Sequence, residues 1–108
     1  MANTEILPGT LSLLVLRVLQ HGALHGYAIA QRIHQLSNEL LQVEEGSLYP
    51  ALQRMLLRGW VKADWGISET NRKVRFYRLT PAGRKQLQAE MKDFDRIVQG
   101  IAGVLAKA

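Results

Sequence analysis

No cysteine occurs in these 108 residues, which excludes disulfides, thiolate metal sites and cysteine nucleophiles and fits a reducing cytosol. Long apolar runs are missing too. The stretch from Leu11 to Leu19 is interrupted by Ser12 and Arg17 and falls well short of the ~20 residues that a spanning helix needs. Met1 to Gly9 carries no basic n-region, so the expectation is a soluble, cytoplasmic chain with no membrane partner. There is no internal repeat or low-complexity segment, and no room for a second independent domain. With 47% hydrophobic and 21% charged residues, the chain fits one small domain with a modest core. A domain of this size buries a smaller share of its surface than a large one, so a partner subunit is a natural source of stability.

Catalytic constellations are equally scarce. His21 and His25 are four apart, but Gly22 lies between them and no carboxylate completes a metal set. Glu44 with Glu45, and Asp93 with Asp95, are adjacent or two apart and do not converge on a substrate. No nucleophile and base pair, phosphate loop or dinucleotide fingerprint is present. The expectation is a protein that is not an enzyme and holds no metal or cofactor.

Acidic charge is lacking in one window above all. Arg54 to Lys85 holds nine basic residues against Asp64 and Glu69, a balance of +7, whereas residues 1–53 carry −2 and residues 86–108 carry 0. Basicity this local implies a binding face for a polyanion.

The elements around that window can be read from period and punctuation. Leu7, Pro8, Gly9 and Thr10 form a stop and a cap, and the next nine residues make a helix apolar nearly all round, which must be covered on more than one side. Gly26 opens a second helix with Ile29, Ile33 and Leu36 on its dry face. Leu40 to Val43 is expected to supply a short strand. A third helix is expected to start at Gly46 with Ser47 as N-cap and Pro50 in its first turn. Leu48, Ala51, Leu52, Met55 and Leu56 form its apolar stripe, Tyr49 flanks it, and Pro50, Gln53, Arg54 and Leu57 point away.

Trp60 to Trp65 then alternates with Val61, Ala63 and Trp65 on one face, Gly66 to Asn71 is the turn, and Arg72 to Leu79 alternates again, giving an antiparallel hairpin. Tyr77 and Leu79 fall on the core side near its end, with Arg75 pointing out where the hairpin leaves the body. Thr80 and Pro81 cap the last helix, which runs to about Lys107. Along it Leu87, Met91, Phe94, Val98, Ile101 and Leu105 are spaced 4, 3, 4, 3, 4, an a/d seam for a second helix.

These elements predict a mainly α fold with a small β-hairpin. Residues 1–80 form a winged helix-turn-helix DNA-binding domain and residues 81–108 a long C-terminal dimerisation helix, packed as one structural unit. In such a fold the third helix lies in the major groove and the hairpin reaches the backbone or minor groove. Gln53 and Arg54 are placed for base edges; Ser47, Tyr49 and the amides at the helix start for phosphate; Arg72, Lys73 and Arg75 for the backbone beside the wing. The plainer alternative, a winged-helix protein-interaction module without sequence-specific DNA binding, is disfavoured by the concentrated charge.

With these residues in place the chain resembles the PadR family of bacterial transcriptional regulators, in its short form with a single C-terminal helix. The marks are Gly9-Thr10-Leu11, His25-Gly26-Tyr27-Ala28-Ile29, Gly46-Ser47-Leu48-Tyr49-Pro50-Ala51-Leu52 and Arg75-Phe76-Tyr77-Arg78-Leu79-Thr80-Pro81-Ala82-Gly83, spread over residues 6–105. The resemblance implies a homodimeric repressor of double-stranded operator DNA whose last helix packs on the partner. It also implies Tyr27, Ser47, Tyr49 and Pro50 near the DNA backbone, and Arg72 with Lys73 in the wing. Two departures stand: Ala28 replaces a frequent acidic residue and Phe76 a frequent second Tyr, neither expected on the DNA face. In drug-binding members of the short form an aromatic on the last helix lines a pore at the dimer interface. Phe94 falls near that position, making it the candidate for a small aromatic effector, although a plain seam residue is the preferred reading.

Overall fold

The computed structural model describes residues 9–108; the expected stop at Leu7 and Pro8 and the first eight residues of the domain lie outside them. Seven elements follow in order: α1 (Thr10–Leu19), β1 (Leu24–His25), α2 (Gly26–Leu36), α3 (Glu45–Leu57), β2 (Val61–Ile67), β3 (Lys73–Leu79) and α4 (Pro81–Lys107). The fold is mainly α with a small antiparallel sheet of order β1-β3-β2.

The core forms where the helical stripes meet the root of the hairpin. Val15, Leu16, Val18 and Leu19 of α1 pack with Ile29 and Ile33 of α2, with Leu48, Ala51, Leu52 and Met55 of α3, and with Val61, Tyr77, Leu79 and Leu87. The first helix is thereby covered from several directions, as its nearly all-round apolar character requires. Leu36, at the last turn of α2, is exposed instead.

Three local expectations are corrected. The third strand is Leu24–His25, not Leu40 to Val43, and pairs with β3 through Leu24↔Tyr77 and His25↔Phe76. Leu41 keeps only an isolated bridge, because local side chains take up its backbone: its N–H donates to Ser37 Oγ at 3.0 Å and its carbonyl accepts from His34 Nδ1 at 3.0 Å. Asn38 and Glu39, both left-handed with φ of 54° and 65°, turn the chain away just before it.

Secondly, Glu44 and not Ser47 is the N-cap of α3. The amides of Ser47 and Leu48 both donate to the Glu44 carbonyl, so the helix begins two residues before Ser47. Pro50 is consequently in the second turn; lacking an N–H, it leaves the Gly46 carbonyl without its intrahelical donor. Both residues are exposed, so water can serve that carbonyl. Thirdly, β2 continues through Gly66 to Ile67, and Gly66 and Ile67 pair with Val74 and Lys73, which confines the turn to the residues between Ile67 and Lys73.

The root of α4 is held tightly. Thr80 Oγ1 donates to the Gly59 carbonyl at 2.6 Å and accepts from the Gly83 amide at 3.0 Å, while the Thr80 amide donates to the Trp60 carbonyl at 3.0 Å. A Cβ at Gly83 would lie 2.0 Å from that Trp60 oxygen, so only glycine lets the helix start so close to the strand entry. From there 27 residues extend ~40 Å at 1.5 Å per residue, beyond the body they spring from.

Candidate nucleic-acid interface

The sheet register sets the geometry of the wing. On one face the cross-strand pairs are Val61/Leu79, Ala63/Tyr77, Trp65/Arg75 and Ile67/Lys73, since paired residues project to the same side. The first two pairs contain the buried Val61, Tyr77 and Leu79, and the last two lie beyond the body. One continuous face therefore passes from core to cleft wall. The opposite face carries Lys62, Arg78, Asp64 and Phe76; Arg78 Nε lies 3.5 Å from Asp64 Oδ2, an exposed pair of little energetic weight, and Phe76 meets His25 edge-on at 5.5 Å.

Between this wing, the start of α2 and the flank of α3 lies a cleft of about 970 Å³. Six of the nine residues expected at DNA line it together: Tyr27 from α2, Tyr49 and Gln53 from α3, and Arg72, Lys73 and Arg75 from the hairpin. Ser47, Pro50 and Arg54 do not. They are exposed on the outer side of α3, and successive helical residues are 100° apart, so Gln53 and Arg54 bound the two sides of its free arc. Two carboxylates, Glu45 and Glu69, also line the cleft and limit where a polyanion can lie.

The close contact of α2 with α3 depends on glycine. A Cβ at Gly26 would come within 2.8 Å of the Tyr49 hydroxyl, so Tyr49 packs over the first turn of α2. Burial, then Glu45, then Tyr77 raise the Tyr49 phenol above its usual 10.0, and it stays neutral at physiological pH. Tyr27 Oη accepts from Gln31 Nε2 at 3.1 Å. Because the first turn of α2 is drawn into the cleft, Ala28 lines it as well.

The charge map is also corrected in detail. Lys62 and Arg78 project from the far face of the hairpin, so the window of +7 does not form one surface. Arg75 is half-buried rather than pointing out; its guanidinium lies 5.9 Å from the Trp65 ring centre and 5.8 Å from that of Tyr77, and Lys73 Nζ is 5.2 Å from Trp65. Trp65 itself, a cleft residue, was not among the expected site residues. Its face was legible from the alternation; its exposure was not.

A second uncovered surface runs along α4. Leu87, expected in the dimer seam, is fully buried in its own chain's core, because the root of α4 is docked on the body. Met91, Phe94, Val98, Ile101 and Leu105 are exposed, and Ile97 and Val104 widen the stripe. Near its end Ile97, Gly100, Ile101, Val104 and Leu105 form an open apolar patch on one side of the helix.

Residues 15–89 match the model of the transcriptional regulator PadR-like family. A transcriptional regulator of Mycobacterium tuberculosis is 31% identical over 91 residues, covering 82% of this chain and 81% of that protein. Among solved structures, a transcriptional regulator from Clostridium thermocellum superposes with a TM-score of 0.81 at 28% identity, covering 88% of this chain and 92% of that one. A PadR family regulator from Eggerthella lenta gives 0.77 at 25% identity, with 93% and 85% covered.

Proposed function

Since the chain belongs to the PadR-like family of transcriptional regulators, a family of DNA-binding regulators, we propose that it acts in the cytoplasm as a homodimeric, ligand-responsive repressor of an inverted-repeat operator. The observation that supports this most is the convergence of Tyr27, Tyr49, Gln53, Arg72, Lys73 and Arg75 on one cleft beside the free arc of α3. In this reading α3 enters the major groove, where Gln53 suits adenine and Arg54 suits guanine. Tyr27, Ser47, Tyr49 and Pro50 lie along the backbone that passes the start of α3. The cations of the wing hold phosphates, releasing counterions and making binding salt-dependent.

Residues 81–108 join two such heads. Met91 to Leu105 present bare apolar side chains, and a second copy removes them from water. Two-fold symmetry then sets the half-sites about one helical turn apart. Phe94 is an exposed member of this stripe; its preferred role is that of a plain seam residue, and it is the candidate contact for a small aromatic effector held between the copies.

A gel shift against duplex from the chain's own upstream region, with scrambled competitor, tests the reading together with light scattering. The expected result is a dimer that prefers the upstream duplex. A monomer would reject the homodimer outright, whereas a dimer with equal, weak affinity for both duplexes would reject sequence-specific binding in favour of an interaction module.

A further inference from the structure

Trp65 is 65% exposed although it continues the face that buries Val61. A lone exposed apolar residue needs no explanation, but this one is not placed like a stray. Its ring stands in the wall of the cleft, opposite Arg75 in the register and diagonal to Lys73, and both cations lie within 6 Å of its centre. Arg75 in turn lies over Tyr77. The cleft face of the wing is thus a ladder of Lys73, Trp65, Arg75 and Tyr77, cation against ring at each step.

We infer that Trp65 is a DNA-contacting residue of the wing, whose indole packs against a deoxyribose while it holds Lys73 and Arg75 toward the phosphates on either side. The inference rests on the assignment of the cleft to DNA. Three reasons lead to it. Two like charges on one short strand repel each other, and a π-face between them offsets that repulsion while no anion is bound. Long cationic side chains lose rotamer freedom when they grip a phosphate, and a ring that already orients them lowers that cost. Finally, the indole is the largest apolar surface among these cations and the one that both of them approach, with exposed Ile67 beside it on the same strand face, and a sugar is the weakly polar surface between two phosphates. Its partner is therefore the sugar–phosphate backbone of a duplex and not a base edge, which makes the contribution independent of sequence.

Trp60 is the other tryptophan, so Trp65→Phe isolates the signal of Trp65. Emission and acrylamide quenching are followed while the whole dimer is titrated with the upstream duplex, and separately with a scrambled duplex of the same length. On binding either duplex, wild-type emission changes and part of it becomes protected from acrylamide; in Trp65→Phe both effects vanish. Trp65→Ala weakens both duplexes alike, by about tenfold, through the lost indole–sugar contact and the lost orientation of the two cations, and lowers the salt slope because the two cations are no longer held. Trp65→Phe keeps a ring and stays within about threefold of wild type. Since the side chain is largely outside the core, circular dichroism of both variants should match wild type. Binding with unchanged acrylamide access, or a Trp65→Ala chain of wild-type affinity and salt slope, overturns the inference alone. A wild-type chain that binds neither duplex overturns the cleft assignment with it.

Discussion

The wing and the last helix each leave large side chains uncovered, yet the company those side chains keep is different. On the wing Trp65 stands among Lys73 and Arg75. On α4 the patch at Ile97, Gly100, Ile101, Val104 and Leu105 contains no charge at all. An aromatic among cations suits a polyanion with a weakly polar backbone, whereas a bare aliphatic stripe has nothing to offer a phosphate and gains only by leaving water. One chain thus carries two unlike surfaces, the first matching the proposed nucleic-acid face and the second the proposed dimer seam, joined at the root of α4.

Breaking that root should remove both at once. Gly83→Ala places a Cβ 2.0 Å from the Trp60 oxygen, and the strain, above ~3 kcal/mol, should leave a chain that is largely unfolded by circular dichroism. Leu87→Ala and Val98→Asp separate the inner from the outer part of the helical stripe. The first should cost the fold ~2–5 kcal/mol in denaturant, as a cavity in the core. Val98→Asp should instead leave the helical signal intact while light scattering reports a monomer and operator retention is lost; a dimer that survives it would move the contact elsewhere on the surface.

On the nucleic-acid side the expected effects are smaller. Arg54→Ala should weaken operator binding by ~1–3 kcal/mol per half-site and relax discrimination at one base pair. Equal losses on operator and random duplex would make Arg54 a phosphate contact. Lys73→Ala should reduce the salt slope by ~1 per subunit with little change in preference between duplexes, and an unchanged slope would take the wing off the DNA.

Much of this arrangement was legible in the residues because it follows local rules. Thr80 and Pro81 announce the start of α4, the stripe of α3 sorts Leu48 from Gln53, and the period of two puts Tyr77 and Leu79 inward. What escaped depends on distant neighbours. A strand of two residues, Leu24–His25, has no alternation to detect and exists because β3 lies beside it. Ser47 has a strong N-cap propensity, yet Glu44 takes the position because its carbonyl receives the amides of Ser47 and Leu48. The alternation in β2 gave the face of Trp65 correctly, but only the packed body shows that burial stops near Ala63. Leu87 fits the seam by spacing as well as Met91 does, and what separates them is where the body ends.

The Thr80 hydroxyl, bonded at once to Gly59 and Gly83, has a dynamic corollary. It pins the hairpin at one end only, so amide hydrogen exchange along β3 should be graded: the inner amides should exchange near the rate of global opening and those toward Lys73 by local fraying. A blade anchored in this way can adjust its tip to the width of a groove while the core stays shut.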